Sequence, residues 1–282
     1  MQAKAIACER PSGRGEPLGR YSLGDIVLLM KRERIVTSIS RSTLCRWYQQ
    51  DALRPWRYQA WLFPRDPQFL AKAVIVLDLY HGFWQGEPLG PNDFILSADE
   101  KSQLQILARR HVTRSPQPGH MGQVEFEYER LGTLTYQAAL DVHRGIVIGQ
   151  IESSNCIVTF NQLTDKVMSQ APYNTARRVF WIVDNGSSHH PSTFPTRLSH
   201  RHEHAIAIHL PTHASWLNQI ELYFSIVARK ALTPRDFADR DDMAQRILGF
   251  EKRFSRQARP FNWKFTAEDL RERMKSVTSA LP

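Results

Sequence analysis

The spacing of apolar side chains changes period along this chain, and the changes divide it. Residues 23–32 and 41–50 carry apolar positions at helical spacing, with Ser22 and Ser40 placed as N-caps. Residues 66–82 repeat that spacing through Phe69, Leu70, Ala73, Val74, Leu77 and Tyr80, which predicts a third helix. A Gly/Pro loop follows, and from Phe94 the period shortens. FILSADE (94–100) predicts a strand, with 103–109 as its hairpin partner after a turn at 100–102. Strands are also predicted at 132–143, 146–152 and 205–210. RVFWIVD (178–184) has the unbroken apolar run of a strand buried on both faces. Helical spacing returns at 159–169, around 193–202, at 239–255 through Met243, Ile247, Phe250 and Phe254, and in a last helix capped by Thr266. Hairpin strands followed by alternating helix and strand imply an α/β chain, a mixed sheet covered by helices. The expected division is 1–65 for a small helical region with its linker and 66–282 for the sheet domain.

One predicted helix contains an anomaly. In residues 214–232, Leu217, Ile220, Phe224, Val227 and Ala228 form one buried face, and Glu221 sits on its edge, one turn from Leu217 and Phe224. A carboxylate turned partly inward costs free energy unless something neutralises it.

Charge adds a partner class. The chain has 37 Lys and Arg against 28 Asp and Glu, a net +9. Residues 1–65 hold 12 basic and 5 acidic residues, so +7 of that surplus lies in the first quarter. This favours a polyanion such as nucleic acid. Three widely spaced cysteines with no CxxC argue against a disulfide scaffold or cysteine zinc site and suit a reducing cytoplasm. The first 20 residues, rich in Gly, Pro and charge, read as a flexible lead-in rather than a secretory signal, and no apolar run is long enough to span a membrane.

The two N-terminal helices, joined by a short break, make a helix-turn-helix pattern. The second presents Arg41, Ser42, Thr43, Arg46 and Gln49, all able to reach bases or phosphates, with Leu44 and Trp47 as apolar anchors. Residues 53–67 interleave Trp56, Tyr58 and Trp61 with Arg54 and Arg57. They read equally well as an arm lying on DNA, with arginines on phosphate, or as a linker whose aromatics pack on a neighbouring domain.

Three acids remain. Asp99 ends the first predicted strand, on the face of Ile95 and Ser97. Asp184 ends the apolar strand and opens into NGSSHH, the strand-to-loop junction where α/β sheets place functional groups. Glu221 is the helix acid. Three anions can share a site only around a hard divalent cation, and magnesium suits a site of few carboxylates. Such a site suits phosphoryl transfer. The alternative is that each Asp caps a loop and Glu221 keeps its head in water.

LSADEKSQLQI (96–106), RVFWIVDNGSSHH (178–190) and PTHASWLNQIELYFSIVARKAL (211–232) resemble the three blocks of DDE transposases, in particular the bacterial IS-six-thirty insertion-sequence group related to the mariner elements. The family's catalytic, metal-binding acids fall on Asp99, Asp184 and Glu221, the last two separated by 36 residues (221 − 184 − 1). The resemblance implies a ribonuclease-H-like fold and two Mg²⁺ or Mn²⁺ ions, with Asp99 bridging them, Asp184 on one and Glu221 on the other. It also implies cleavage at element ends, then attack of a 3′-hydroxyl on target DNA at a TA dinucleotide, with double-stranded DNA as partner and a homodimer to bring two ends together. Asn185, His189, His213 and Asn218 match family positions. They are candidates for supporting the metal ligands or contacting DNA, or else ordinary loop and cap residues. Seven of the eleven histidines lie between His189 and His213, but they form no recognised zinc frame, and the acids already account for the site. Family members carry two helix-turn-helix units where this chain has room for one. The alternative function is therefore a truncated or repurposed DNA-binding protein without transposition activity.

Overall fold

The computed structural model describes residues 2–50, 53–57 and 64–279, and the chain forms two compact units, Met1–Phe63 and Pro64–Pro282.

Among the described residues the first unit contains three α-helices, α1 (Gln2–Cys8), α2 (Leu23–Arg32) and α3 (Arg41–Gln50). Ser22 and Asp25 close a reciprocal capping box on α2, and Ser40 Oγ accepts the Thr43 N–H at 3.0 Å at the start of α3. Two expectations change here. The lead-in is not simply flexible, because α1 and a 3₁₀ turn at Pro11–Arg14 are ordered, and Ala3 and Ile6 are buried with Tyr21, Ile26 and Leu44. The second anchor of α3 is Tyr48, not Trp47. Tyr48 lies a full turn after Leu44 and donates its hydroxyl to the Ala3 carbonyl at 2.7 Å, while Trp47 is exposed. Tyr58 and Trp61 lie outside the described residues.

The second unit is built on a five-stranded sheet of β3 (Asp93–Ala108), β4 (Glu129–Asp141), β5 (Ile146–Glu152), β6 (Arg178–Val183) and β7 (Ala205–His209). The spatial order is β5-β4-β3-β6-β7; β4 is antiparallel to both neighbours, and β3, β6 and β7 run parallel. This order and polarity make the sheet ribonuclease-H-like. Helix α4 (Phe69–Tyr80) leads in, followed by a two-stranded ribbon, β1 (Phe83–Trp84) and β2 (Glu87–Pro88), where only a loop was expected. The remaining helices are α5 (Ile157–Met168), α6 (Phe194–Arg201), α7 (Ile220–Lys230), α8 (Arg240–Gln257) and α9 (Ala267–Ser279).

Each face of the sheet buries its own core. Ile95, Phe180 and Ile182 pack with α4 and α9, whereas Leu96, Ala98, Trp181 and Val183 pack with α5 and α6. Leu104, Ile106, Tyr136 and Leu140 pack with α7 and α8. Phe69, Ala73, Leu77 and Tyr80 turn inward on α4 as the periodicity predicts, but Leu70 is exposed, and Val76 and Leu79 are buried in addition. Among the described residues, no helix is long and apolar enough to cross a membrane.

Two corrections bear on the site. The predicted hairpin at 94–109 is one long strand. β3 continues through the polar stretch 100–103 by way of a register shift between Lys101 and Leu104, with Gln103 at φ 53°, and pairs instead with β4. Asp99 is therefore inside the central strand rather than at its end. The helix expected over 214–232 is also broken. A 3₁₀ turn at Ser215–Leu217 ends where Asn218 is extended (φ −81°, ψ 106°), and α7 starts afresh at Ile220.

The β4–β5 turn depends on Gly145, at φ 67°, where an added Cβ would lie 2.3 Å from the Arg259 carbonyl carbon. Gly145→Ala should cost about 2–4 kcal/mol from left-handed strain and overpacking together, read as a lower denaturation midpoint with an unchanged slope.

Candidate active site

The acids meet where the parallel strands end. β3 and β6 pair from Asp93↔Arg178 to Ser97↔Ile182, and the register carried two residues further brings Asp99 level with Asp184. β6 stops at Val183, so the chain opens here into the crevice beyond the carboxyl ends of the strands.

Asp184 begins a tight turn. Its Oδ1 accepts the Gly186 N–H at 2.7 Å. A Cβ at Gly186 would come within 2.8 Å of the His189 ring and 3.0 Å of Asp184 Oδ1, so only glycine lets the turn close over the histidine. Asp99 is buried at 6% exposure. Its Oδ1 accepts the Glu100 N–H at 2.8 Å and its Oδ2 accepts Asn218 Nδ2 at 3.1 Å. Burial foremost, then the negative charges of Asp184 and Glu100, push the Asp99 carboxyl up to about 8.

Glu221 lies in the first turn of α7, whose buried residues are Ile220, Tyr223, Phe224 and Val227. Its side chain is largely exposed, yet its carboxyl is held above the ordinary value. Neighbouring atoms displace water from it, and Asp184 and Glu100 repel it, against the attraction of Lys101. Asp184, in the β6 loop, thus acts on both of the other sequence-predicted acids, Asp99 on β3 and Glu221 on α7.

A fourth acid joins them. Glu100 accepts a hydrogen bond from Asn155 and faces His189 Nε2 at 3.1 Å. Asp99, Glu100 and His189 offer ligand atoms all within 4.8 Å of one another, the one such group among the described residues. Glu100 carried no sequence signal of its own, since it follows an acid in a stretch that reads as a polar turn. His189 is fully buried against Phe160 and Phe194. Its Nδ1 faces the Asp184 carbonyl at 3.1 Å and its Nε2 faces Glu100, so both ring nitrogens meet acceptors, as in an imidazolium. Burial alone would lower its pKa, but the hydrogen bond to Glu100 and the charges of Glu100, Asp184 and Asp99 outweigh it, and the net direction is up.

The other sequence-predicted residues separate by role. Asn218 touches Asp99 directly. Asn185 donates to the Leu210 carbonyl at 2.9 Å and pins the Asp184 turn to the end of β7. His213 is exposed with left-handed backbone (φ 61°), and among the described residues no hydrogen bond joins it to the acids. His202 and His204 are engaged with Asp165 and the Tyr173 carbonyl, which uses up two members of the histidine run. In the first unit Arg41, Ser42, Arg46, Gln49, Arg54 and Arg57 are exposed, and Thr43 is half-buried against its cap.

Hard oxygen donors in excess, with His189 and Lys101 as the nearby cations, form a donor set suited to magnesium or manganese.

Residues 95–244, more than half of the chain, match the family model described as DDE superfamily endonuclease. No curated protein matches the chain. Similar solved structures include the Mos1 mariner paired end complex with Mn, with 13% identity, TM-score 0.47, and coverage of 88% of this chain and 82% of that one. The Mos1 transposase paired-end complex with left transposon end matches at 12% identity, TM-score 0.47 and the same coverage. The Mos1 Strand Transfer Complex matches at 13% identity and TM-score 0.45, over 88% of this chain and 81% of that one.

Proposed function

Because the chain belongs to the DDE superfamily endonuclease family, we propose that it is a transposase of the IS-six-thirty group that cuts DNA at insertion-sequence ends and joins the freed 3′-hydroxyl to target DNA. The observation that carries this reading is the convergence of Asp99, Asp184 and Glu221 from three separate elements. Asp184 repels both Asp99 and Glu221, and that repulsion calls for a divalent counter-ion.

In this reading Asp99, Asp184 and Glu221 would together hold the divalent ions. What bound magnesium or manganese supplies is Lewis acidity at the attacking and leaving oxygens of a phosphodiester. The protein's own part is preorganisation. The Glu100 N–H and Asn218 aim the two oxygens of Asp99, and the Gly186 N–H and His189 fix Asp184. Water, and later the 3′-hydroxyl, is the nucleophile, so no covalent enzyme intermediate is formed.

The exposed Arg41, Ser42, Arg46 and Gln49 on α3, with Thr43 beside them and Arg54 and Arg57 after them, are assigned to element-end DNA. Joining two ends requires two protomers, so a dimer forms on DNA.

The test is a strand-nicking and strand-joining assay with labelled duplexes carrying the element's ends. Nicking should require Mg²⁺ or Mn²⁺, stop with chelator, and be followed by joining at TA. Absence of metal-dependent nicking overturns the enzyme reading. Cleavage of arbitrary DNA with no joining leaves an endonuclease and removes the transposase.

A further inference from the structure

Helix α7 carries Glu221 in its first turn, but its own N-cap residue, Gln219, provides no side-chain cap. The first N–H groups of a helix need an acceptor, and a buried one left without costs free energy. The Ile220 N–H finds its acceptor on the central strand, in Ser97 Oγ at 2.9 Å. The Ser97 hydroxyl then donates to Asn218 Oδ1 at 2.5 Å, and Asn218 Nδ2 donates onward to Asp99 Oδ2 at 3.1 Å and the Ala98 carbonyl at 3.3 Å. Tyr80 closes the far side, accepting the Gln219 N–H at 3.4 Å and donating to the Leu217 carbonyl at 2.7 Å. Ser97 and Asn218 are both buried.

We propose that Ser97 is a positioning residue, a helix cap supplied by the strand, which together with Asn218 sets the distance between the first and third acids. The spacing along the chain makes this possible. Ser97 precedes Asp99 by two residues, on the same face of β3, and Asn218 precedes Glu221 by three. A single hydroxyl therefore fixes the start of the Glu221 helix and, through one amide, the rotamer of Asp99. Because Asn218 is extended, it breaks the helix that would otherwise run on from Leu217, and its amide is free to reach the strand. The Ser97 hydroxyl spends its one proton on Asn218 and accepts from Ile220. Alanine at 97 removes both bonds, whereas alanine at 218 leaves the cap on Ile220 and removes the contacts to Asp99, the Ala98 carbonyl and the Ser97 hydroxyl.

The inference rests on the metal-site reading above, and the experiment separates the two. Mn²⁺ binding to the full chain is measured by calorimetry for the intact protein, Ser97→Ala, Asn218→Ala and Asp99→Asn, alongside thermal unfolding and the kcat and KM of nicking. Ser97→Ala and Asn218→Ala should each weaken Mn²⁺ binding about 10–100-fold, the scale for losing a partner behind a metal ligand. Both should lower kcat with KM for DNA unchanged. Amide exchange at Ile220 should accelerate in Ser97→Ala and not in Asn218→Ala. If Asp99→Asn leaves Mn²⁺ binding unchanged, the metal-site reading falls. If Asp99→Asn abolishes binding while Ser97→Ala and Asn218→Ala, both folded, bind Mn²⁺ like the intact protein, the positioning role falls. Should Ser97→Ala not fold, Asn218→Ala decides by the same Mn²⁺ comparison.

Discussion

Glu221→Gln is expected to reduce metal-dependent DNA cleavage on the order of 10³-fold, the upper scale for losing one electrostatic stabiliser of a transition state, while leaving the fold and DNA binding in place. The side chain is largely exposed, and α7 is anchored by Ile220, Tyr223, Phe224 and Val227, none of which touches the exchange. Glutamine keeps the shape and removes the charge. Burial foremost, with repulsion from Asp184 and Glu100, outweighs the attraction of Lys101 and disfavours the Glu221 charge, so neutralising it costs the metal-free protein little. Unfolding free energy should therefore stay within about 0.5 kcal/mol of the intact chain, as for other surface substitutions, or rise slightly. Asp184→Asn should lose cleavage to a similar extent. It is less silent structurally, because the Asp184 carboxylate also faces His189. Nicking rates, thermal unfolding and fluorescence anisotropy on end DNA read the three properties separately. A Glu221→Gln protein that unfolds, or one that nicks at the intact rate, removes Glu221 from the site and returns it to an ordinary helix-edge acid.

Features set by neighbours in sequence were the legible ones. The run VFWIV is apolar on both faces, and β6 is buried from Val179 to Val183. Ser22, Ser40 and Thr266 stand as caps in front of helical periods, and each caps its helix. Alternation in β3 put Asp99 on the face of Ile95 and Ser97, and it lies there. What stayed hidden depends on partners far along the chain. Glu100 matters through His189, 89 residues away. Ser97 matters through Ile220, 123 residues away, and no local pattern marks a serine as the cap of a distant helix. The break at Asn218 was masked because Leu217 and Ile220 keep helical spacing across it, both facing the core from different segments. In β3 the polar stretch 100–102 read as a turn, although its polarity comes from the site at Glu100 and from solvent beyond it. In α1, Ala3 and Ile6 were too short an apolar signal to stand out from the Gly/Pro-rich residues after them.

Without divalent metal, the intact chain is expected to lose stability as pH rises toward 8, and Asp99→Asn should abolish much of that loss. The sign follows from the direction of the Asp99 shift. Its carboxyl titrates near 3.8 when unfolded and near 8 in the fold, so the fold favours the protonated form. That preference is fully present below the unfolded value and is lost as pH rises through the folded one, at a limiting rate of about 1.4 kcal/mol per pH unit. At pH 8 an uncompensated buried carboxylate costs roughly 3–5 kcal/mol. The nearby His189 charge offsets part of this, so the variant should exceed the metal-free intact chain by roughly 2–3 kcal/mol there and match it more closely at pH 5. Asparagine can still accept the Glu100 N–H, although its amide then meets the Asn218 amide as donor against donor, which trims the gain. Mn²⁺ closes that gap at pH 8. At a hundred times its dissociation constant it should stabilise the intact chain by about 2.7 kcal/mol and the variant hardly at all. Urea unfolding at pH 5 and pH 8, with chelator and with Mn²⁺, measures all four states. Equal pH profiles for the two proteins in chelator would show that Asp99 is not the charge the metal exists to balance.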